Sequence, residues 1–412
     1  MRIMKNEKNI QLFVFLSLVL LFSCTKKEVN KTITIWAMGE EGLKLEQIIP
    51  LFKKENPDVE VVIQQIPWSA AHEKLVTAVA GNILPDMSQL GTTWMSEFYT
   101  MGALENLEEY IKNSNVVNSN NYFKGSIETC MFEDRIYGIP WYVDVRVMFY
   151  RKDLYDKLGV QPPKTWEEVI SVGKKLTEID KDGKVRSYAY TTSIHWQEIC
   201  PFIWQNGGDL VGLKTKKVNL TSPEVKEAIE FFVRLKKENL SPKIGLGVDL
   251  VYAFRTGYYK SFFSGPYMIE ILKKQAPEIE GKWAVSLMPR KKTRTSFVGG
   301  SNLVIFKTSK NKELAWKFIE FLSRPEIQVE WYKMTSDLPA VRAAWNNEIF
   351  VNNSMLKVFR EQLEDAKSPP NIPEWEQIAE VLHQKVEEMV VGGKDINLAL
   401  KEAEEKIKKI LK

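Results

Sequence analysis

Asp144 and Arg146 stand two residues apart in DRIYGIPWYVDVRVMFYRKDLY, the segment from Asp134 to Tyr155. Val143, Val145 and Val147 flank them, so a carboxylate and a guanidinium sit inside what otherwise reads as a buried strand. At i and i+2 they point to the same side of that strand. They could form a buried structural ion pair, or present themselves together to the hydroxyls of a ligand. Other polar groups stand beside aromatic rings at strand ends. IWAMGEEG places Trp36, Glu40 and Glu41 there, and SQLGTTWMSEF places Thr93 and Trp94. SIHWQEICPFIWQNGGDL adds His195, Trp196 and Trp204, FFSGPYMIE adds Tyr267, and FVGGSNLVIF adds Ser301 and Asn302. In open α/β sheets, ligands bind beyond the carboxyl ends of the strands. The chemistry that fits is carbohydrate binding. Flat rings cover the C–H faces of a sugar, while carboxylates, amides and Arg bind its hydroxyls. Trp36 reads equally well as core, and His195 as a hydrogen-bonded residue without a ligand.

Other chemistries fail on spacing. No G-x-x-x-x-G-K-[ST] loop occurs. HEKLV begins like a zinc-protease helix, but Val76 stands where the second His is required. GGSNL has Leu303 in place of the last Gly of a nucleophile elbow. EIDKDGKVRSYA resembles a calcium loop up to Gly183 but ends on Ala189 rather than Glu, which leaves a turn at Asp182–Gly183. No metal and no cofactor is expected.

The elements that must position these residues alternate. KTITIWA is a strand, MGEEG a break, and Leu45, Ile48, Ile49 and Phe52 mark a helix with Pro50 inside it. VEVVIQQI is a second strand, giving a parallel βαβ unit. A helix over Ser69 to Ala80 and a short strand over Met87 to Gly91 continue the pattern. After Thr165, whose hydroxyl with Glu168 predicts a capping box, a second such system begins. It contains a strand at SYAYTTS and a helix capped by Ser222 with Pro223 at N1. Ala315 to Leu322, Ile378 to Val390 and Ile396 to Leu411 read as further amphipathic helices. No linker separates the halves, so strands should cross between two α/β lobes.

The chain has 412 residues with Lys+Arg 57 against Asp+Glu 53, both signs interspersed. That argues against nucleic-acid binding through a basic face. Arg2, Lys5 and Lys8 precede the apolar run Leu12 to Phe22, which is too short for a membrane span and reads as a secretory signal. LFSC resembles a bacterial lipoprotein box, with Cys24 as the lipidated residue, 1–23 removed and 24–31 a polar tether. The alternative is a plain signal peptide with an incidental Cys24. Cys130 and Cys200 read as free and buried.

RIYGIPWYVDVRVMFYRKDLYDKLGVQPPKTWEEV, with ITIWAMGEEG, FKKENPDVEV, AVAGNILPDM, FYTMGALENLEEYI, WQNGGDL, SGPYMI, SKNKELAWKFIEFL, DLPA and PNIPEW, resembles the family 1 extracellular solute-binding proteins of ABC importers. This class includes the maltodextrin-binding proteins. The resemblance implies an α/β, two-lobed periplasmic-binding-protein fold, type II-like, with a ligand cleft at a hinge of crossing strands. It implies an N-terminal lobe of 32–143 plus 296–338 and a C-terminal lobe of 144–295 plus 339–412. It puts Asp144 at the crossover and Glu40 and Glu41 where relatives bind ligand, with Trp375 near the place of a C-terminal site Trp. Glu41 stands where maltodextrin binders have a Lys, and Trp94 near an Arg position, so maltodextrin itself is disfavoured. The implied function is a lipid-anchored, extracytoplasmic monomer that closes on a sugar or oligosaccharide and delivers it to the permease. The alternatives are an exported glycosidase using two of Glu40, Glu41 and Asp144, or the same fold binding glycerol phosphate or a polyamine.

Overall fold

Lys31–Met38 (β1) buries Ile33, Ile35 and Ala37 on alternate positions, the period of a half-covered strand. The computed structural model describes residues 31–212, 217–244 and 247–412. Cys24, the expected signal 1–23 and the expected tether up to residue 30 lie outside the described residues.

The helix Gly39–Glu55 (α1) starts earlier than its apolar spacing suggests. Gly39 takes φ +53°, turning the chain so that Glu40 and Glu41 occupy the first helical turn. Carboxylates there face the positive end of the helix dipole. Val59–Ile66 (β2) pairs with β1 in parallel, Trp68–Gly81 (α2) packs Ala71, Leu75 and Ala78 inward, and Met87–Gly91 (β3) lies parallel on the other side of β1.

The chain then builds Ile139–Val145 (β4), passes through Arg146, and enters Val147–Tyr150 (β5). Helices Trp166–Leu176 (α3), Trp196–Gln205 (α4) and Pro223–Lys237 (α5) follow, then Ser261–Ser264 (β6), Tyr267–Gln275 (α6) and Ala284–Ser286 (β7). Ser296–Ile305 (β8) returns to the first sheet; Lys312–Leu322 (α7), Pro325–Thr335 (α8) and Leu338–Pro339 (β9) follow. Ala366–Lys367 (β10) and the helices Trp375–Val390 (α9) and Ile396–Ile410 (α10) complete the chain.

The large sheet runs β9-β4-β8-β3-β1-β2, with β10 added to β8. The small sheet, β6-β5-β7, is antiparallel throughout. β4 and β5 are thus neighbours in sequence but members of different sheets. β8 crosses back beside them: Phe297 belongs to the core of α3, α4, α5, α9 and α10, whereas Val298 belongs to the core under the large sheet. The stretch Val341 to Leu363 buries its apolar side chains in the large-sheet core, which also takes in one face of the small sheet through Phe149 and Phe262.

Local readings mostly follow their chemistry. Thr165 Oγ1 accepts from the amide of Glu168, and Ser222 Oγ from that of Val225. Asp180–Gly183 forms a hairpin turn in which Asp180 Oδ1 accepts from Asp182 and Lys184 amides. Cys130 and Cys200 are free and buried. SYAYTTS does not form a continuous strand. Its backbone is shared between partners: Tyr188 and Thr191 amides donate to Tyr258 and Ser261, and the Tyr190 amide donates to Leu240.

The crossing is held by a close approach. In β8, Gly300 has φ +120°, and a Cβ there would lie 2.2 Å from the Tyr142 carbonyl oxygen. An L side chain would meet both backbone strain and that carbonyl. Gly300→Ala should therefore lower stability by ~2–4 kcal/mol, read as a fall in urea midpoint at unchanged slope. A midpoint equal to that of the parent chain would contradict this packing.

Candidate functional site

The cleft lies where the crossing strands leave the large sheet. It comprises three adjoining cavities of about 830, 350 and 300 Å³. Trp68 lines all three. Pro67 follows β2 and Trp68 opens α2, so this ring projects from a strand's carboxyl end. Its neighbour Trp94 comes from the turn after β3, and the two rings meet edge to face at 5.5 Å. Gly91, whose Cβ would lie 3.4 Å from Trp94 and 3.8 Å from Trp68, leaves room for both.

Asp144 and Arg146 reach the floor of the smallest cavity. Asp144 Oδ2 lies 3.1 Å from Arg146 Nη1, and both side chains are largely buried, at 21% and 14% exposure. Arg146 Nη1 also donates to the Tyr267 hydroxyl at 3.2 Å, which ties the crossover to the start of α6. Asp144 is held above the usual carboxylate range by burial, with Arg146 opposing the shift.

Behind the floor lies a hydrogen-bonded group centred on Tyr142. Its hydroxyl donates to Glu41 Oε1 at 2.7 Å and accepts from Ser301 Oγ and Gln89 Nε2, each at 3.1 Å. Gln89 Oε1 accepts from the Met38 amide at 2.7 Å. Four segments of the large sheet thereby fix one carboxylate, Glu41, at the cleft wall. Asp337, between α8 and β9, faces the same cavity and is pushed well above the carboxylate range by burial and by the charge of Glu41.

The opposite wall comes from the second core. His195 caps α4, its Nδ1 accepting from the Gln197 amide at 3.4 Å. Burial lowers its pKa, helped by His383 and Arg146. Trp196 packs edge-on against Phe297 and Trp375, at 5.2 Å in each case. Glu376 faces Thr93 across the cleft; burial raises its carboxyl, and His72 and the Thr93 hydroxyl oppose this.

Of the residues singled out from sequence, the cleft gathers Glu40, Glu41, Thr93, Trp94, Asp144, Arg146, His195, Trp196 and Tyr267. Five lie elsewhere. Trp36 packs against the large-sheet core with Lys74 of α2 4.7 Å above its ring. Trp204 is buried within α4 under Lys367. Ser301 lies one layer behind the cleft, and a bulge between it and Asn302 turns Asn302 to Thr129, to which its Nδ2 donates. Trp375 backs Trp196 instead of lining the cavity. Trp68, Tyr142, Asp337 and Glu376 were not singled out. Trp68 obeys the same strand-end rule as Trp94, and Asp337 belongs to the DLPA segment. Among the described residues no His, Cys, Asp and Glu group is arranged to hold a metal ion, and no helix is long and apolar enough to cross a membrane.

A two-lobed α/β molecule with crossing strands and a polar, aromatic-walled cleft between its cores is the architecture of a solute receptor. The chain belongs to the family of bacterial extracellular solute-binding proteins, whose model matches residues 36–329. The sugar-binding protein MalE of the phytopathogen Xanthomonas citri is 34% identical, with a TM-score of 0.87 over 92% of this chain and 97% of that one. An ABC transporter solute-binding protein from Thermotoga lettingae, bound with alpha-D-tagatose, is 28% identical with a TM-score of 0.77, covering 93% and 100%. The galactooligosaccharide-binding protein of Bacillus subtilis is 24% identical over 98% of both chains.

Asp337 gives a prediction of sign. Its folded pKa lies above its unfolded value, so between the two the folded state holds more protons and stability falls as pH rises. Asp337→Asn keeps an acceptor for the Trp331 indole N–H and removes the buried ionisable carboxyl. It should raise the melting temperature by ~2 °C near neutral pH, with no gain below about pH 3.8. An equal gain at both pH values would contradict the assignment.

Proposed function

We propose that this cleft captures a sugar or oligosaccharide and that the closed, loaded chain delivers it to the transmembrane subunits of an ABC importer. The observation that carries the reading is the pairing of rings and carboxylates from both sides of one cleft. Trp68, Trp94 and Glu41 come from the large-sheet side, Trp196, Tyr267 and Glu376 from the other, with Asp144 at the crossover. A ligand touching both sides binds the closed form better than the open one, and so shifts the equilibrium toward closure. The sugar-binding relatives support this choice of ligand class.

The family is one of binding proteins, which favours capture over hydrolysis. Glycerol phosphate fits less well, because Arg146 is already engaged by Asp144 and Tyr267. We take Cys24 as the acylated residue of a monomeric, membrane-tethered receptor outside the cytoplasm. Cys24→Ser should then release the protein from the membrane fraction into the soluble fraction; retention in the membrane would contradict the anchor.

Calorimetric titration with a panel of mono- and oligosaccharides tests the ligand class. A member of the panel should bind saturably and be recovered unchanged. Trp94→Ala should weaken it ~10–100-fold, the loss expected of a ring that stacks on ligand. Turnover of the sugar, or undiminished affinity in Trp94→Ala, would count against this reading.

A further inference from the structure

The cleft wall made by His195, Trp196 and Gln197 hangs on a turn, Thr192 to His195, that belongs to no strand or helix. The Thr191 amide still bonds to Ser261 of β6; the next residues turn to side chains. The Thr192 amide donates to Ser241 Oγ at 3.1 Å, and the Thr192 carbonyl accepts from Lys236 Nζ of α5. The Ser193 amide donates to Glu198 Oε2 at 3.0 Å. The Ile194 carbonyl accepts from His383 Nδ1 of α9 at 3.1 Å, and the His195 amide donates to Ser193 Oγ at 3.2 Å. Side chains thus do for this turn what a neighbouring strand does elsewhere.

Two of these bonds fall on one peptide group. The Thr192 carbonyl and the Ser193 amide are its two ends and, the bond being trans, point in opposite directions. Lys236 holds one end and Glu198 the other. Lys236 is 1% exposed, a rare burial for this side chain. Its amine also donates to Ser241 Oγ at 3.0 Å, so one hydroxyl serves both Lys236 and the Thr192 amide. Burial lowers the pKa of the amine, with Glu198 opposing. A neutral amine keeps two N–H donors, so both bonds survive loss of the third proton. Glu198 stands in the first turn of α4 and reaches back past the His195 cap, as the acid of a capping box does. Lys236, Ser241 and Glu198 are not among the residues lining the three cavities of the cleft.

Resting on the sugar reading above, in which Trp196 walls the cleft, we infer that Lys236 and Glu198 are positioning residues: by gripping the Thr192–Ser193 peptide group from its two ends, they set how His195, Trp196 and Gln197 face the ligand. Phe297 and Trp375 fix the Trp196 ring itself, at 5.2 Å each. The turn constrains the backbone from which that ring projects. A site whose supporting contacts are loosened loses affinity while its fold persists.

The test labels the full chain with fluorotryptophan and reads the fluorine resonances of Trp196 and Trp345, each identified by its loss in the matching Phe variant. In the unliganded protein, Lys236→Met and Glu198→Ala should each move the Trp196 resonance. That of Trp345, buried in the large-sheet core, should stay in place. Glu198→Gln keeps an acceptor for the Ser193 amide and should return the Trp196 resonance to its parent position. Calorimetry with D-tagatose, maltose and maltotriose should show both shifted variants weakened ~10-fold toward whichever probe the parent chain binds, with Glu198→Gln close to the parent. Should Lys236→Met fail to fold, Ser241→Ala, which removes the shared hydroxyl, takes its place with the same expectation. A Trp196 resonance unmoved on both sides of the peptide group, or a moved one with undiminished affinity, would overturn the inference and leave the sugar reading intact. A parent chain that binds no saccharide would count against the sugar reading, and the resonance alone would then decide the positioning.

Discussion

The structure depends on how tightly two antiparallel strands approach where the chain changes sheets. Gly300 lies against the Tyr142 carbonyl, and Gly299 stands opposite Asp144 in the same register. The Ser296 hydroxyl donates to the Arg146 carbonyl at 2.6 Å, and the Arg146 amide donates to the Phe297 carbonyl at 3.2 Å. This short crossing is the floor of the cleft as well as the joint between the two cores. It carries Asp144 and Arg146 into the cavity while Tyr142, two residues before Asp144, reaches the buried hydrogen-bonded group behind it. Glycine at 300 and the bulge after Ser301 make this possible; a larger residue at 300 would separate the strands, whereas one at 299 would meet the Phe297 ring of its own strand.

From that joint the rest of the site follows in two layers. Tyr142, Ser301 and Gln89 hold Glu41 in place from one side. Phe297 and Trp375 hold the Trp196 ring from the other. The lining therefore presents rigid rings and positioned carboxylates on two bodies joined by a few residues, and pre-organisation of this kind reduces the ordering cost of binding. The same arrangement stores unfavourable energy. Asp144, Asp337 and Glu376 are all held above the usual carboxylate range chiefly by burial. A ligand that donates hydrogen bonds to them would offset part of that burial cost.

The fold was largely legible because its elements are locally consistent. Period-2 alternation in β1 and β2, the caps at Thr165 and Ser222, and the apolar stripes of α9 and α10 all rest on short-range chemistry. SYAYTTS was the exception, since what denies it a strand is a set of distant partners. Cleft-lining residues at strand ends, such as Trp94 and Glu41, follow the same logic, whereas Asp144 lies inside a strand and its place at the crossover is what the family resemblance implies. Trp36, Trp204, Ser301 and Asn302 were not separable from lining residues, because a ring or amide beside the cleft and one behind it have the same local sequence. Their fates are decided by the packing of Lys74, Lys367, Gln89 and Thr129, each far away in the chain. Asp337 and Glu376 arrive from the last third of the chain, and only tertiary structure brings them opposite Glu41 and Thr93.

Closure of two bodies about the Asp144–Arg146 crossing is the claim on which the account stands. Small-angle X-ray scattering, with and without a saccharide whose binding calorimetry has established, measures it directly. The radius of gyration should fall when that ligand saturates the protein. A profile that stays superimposable at saturation would contradict closure as the consequence of binding.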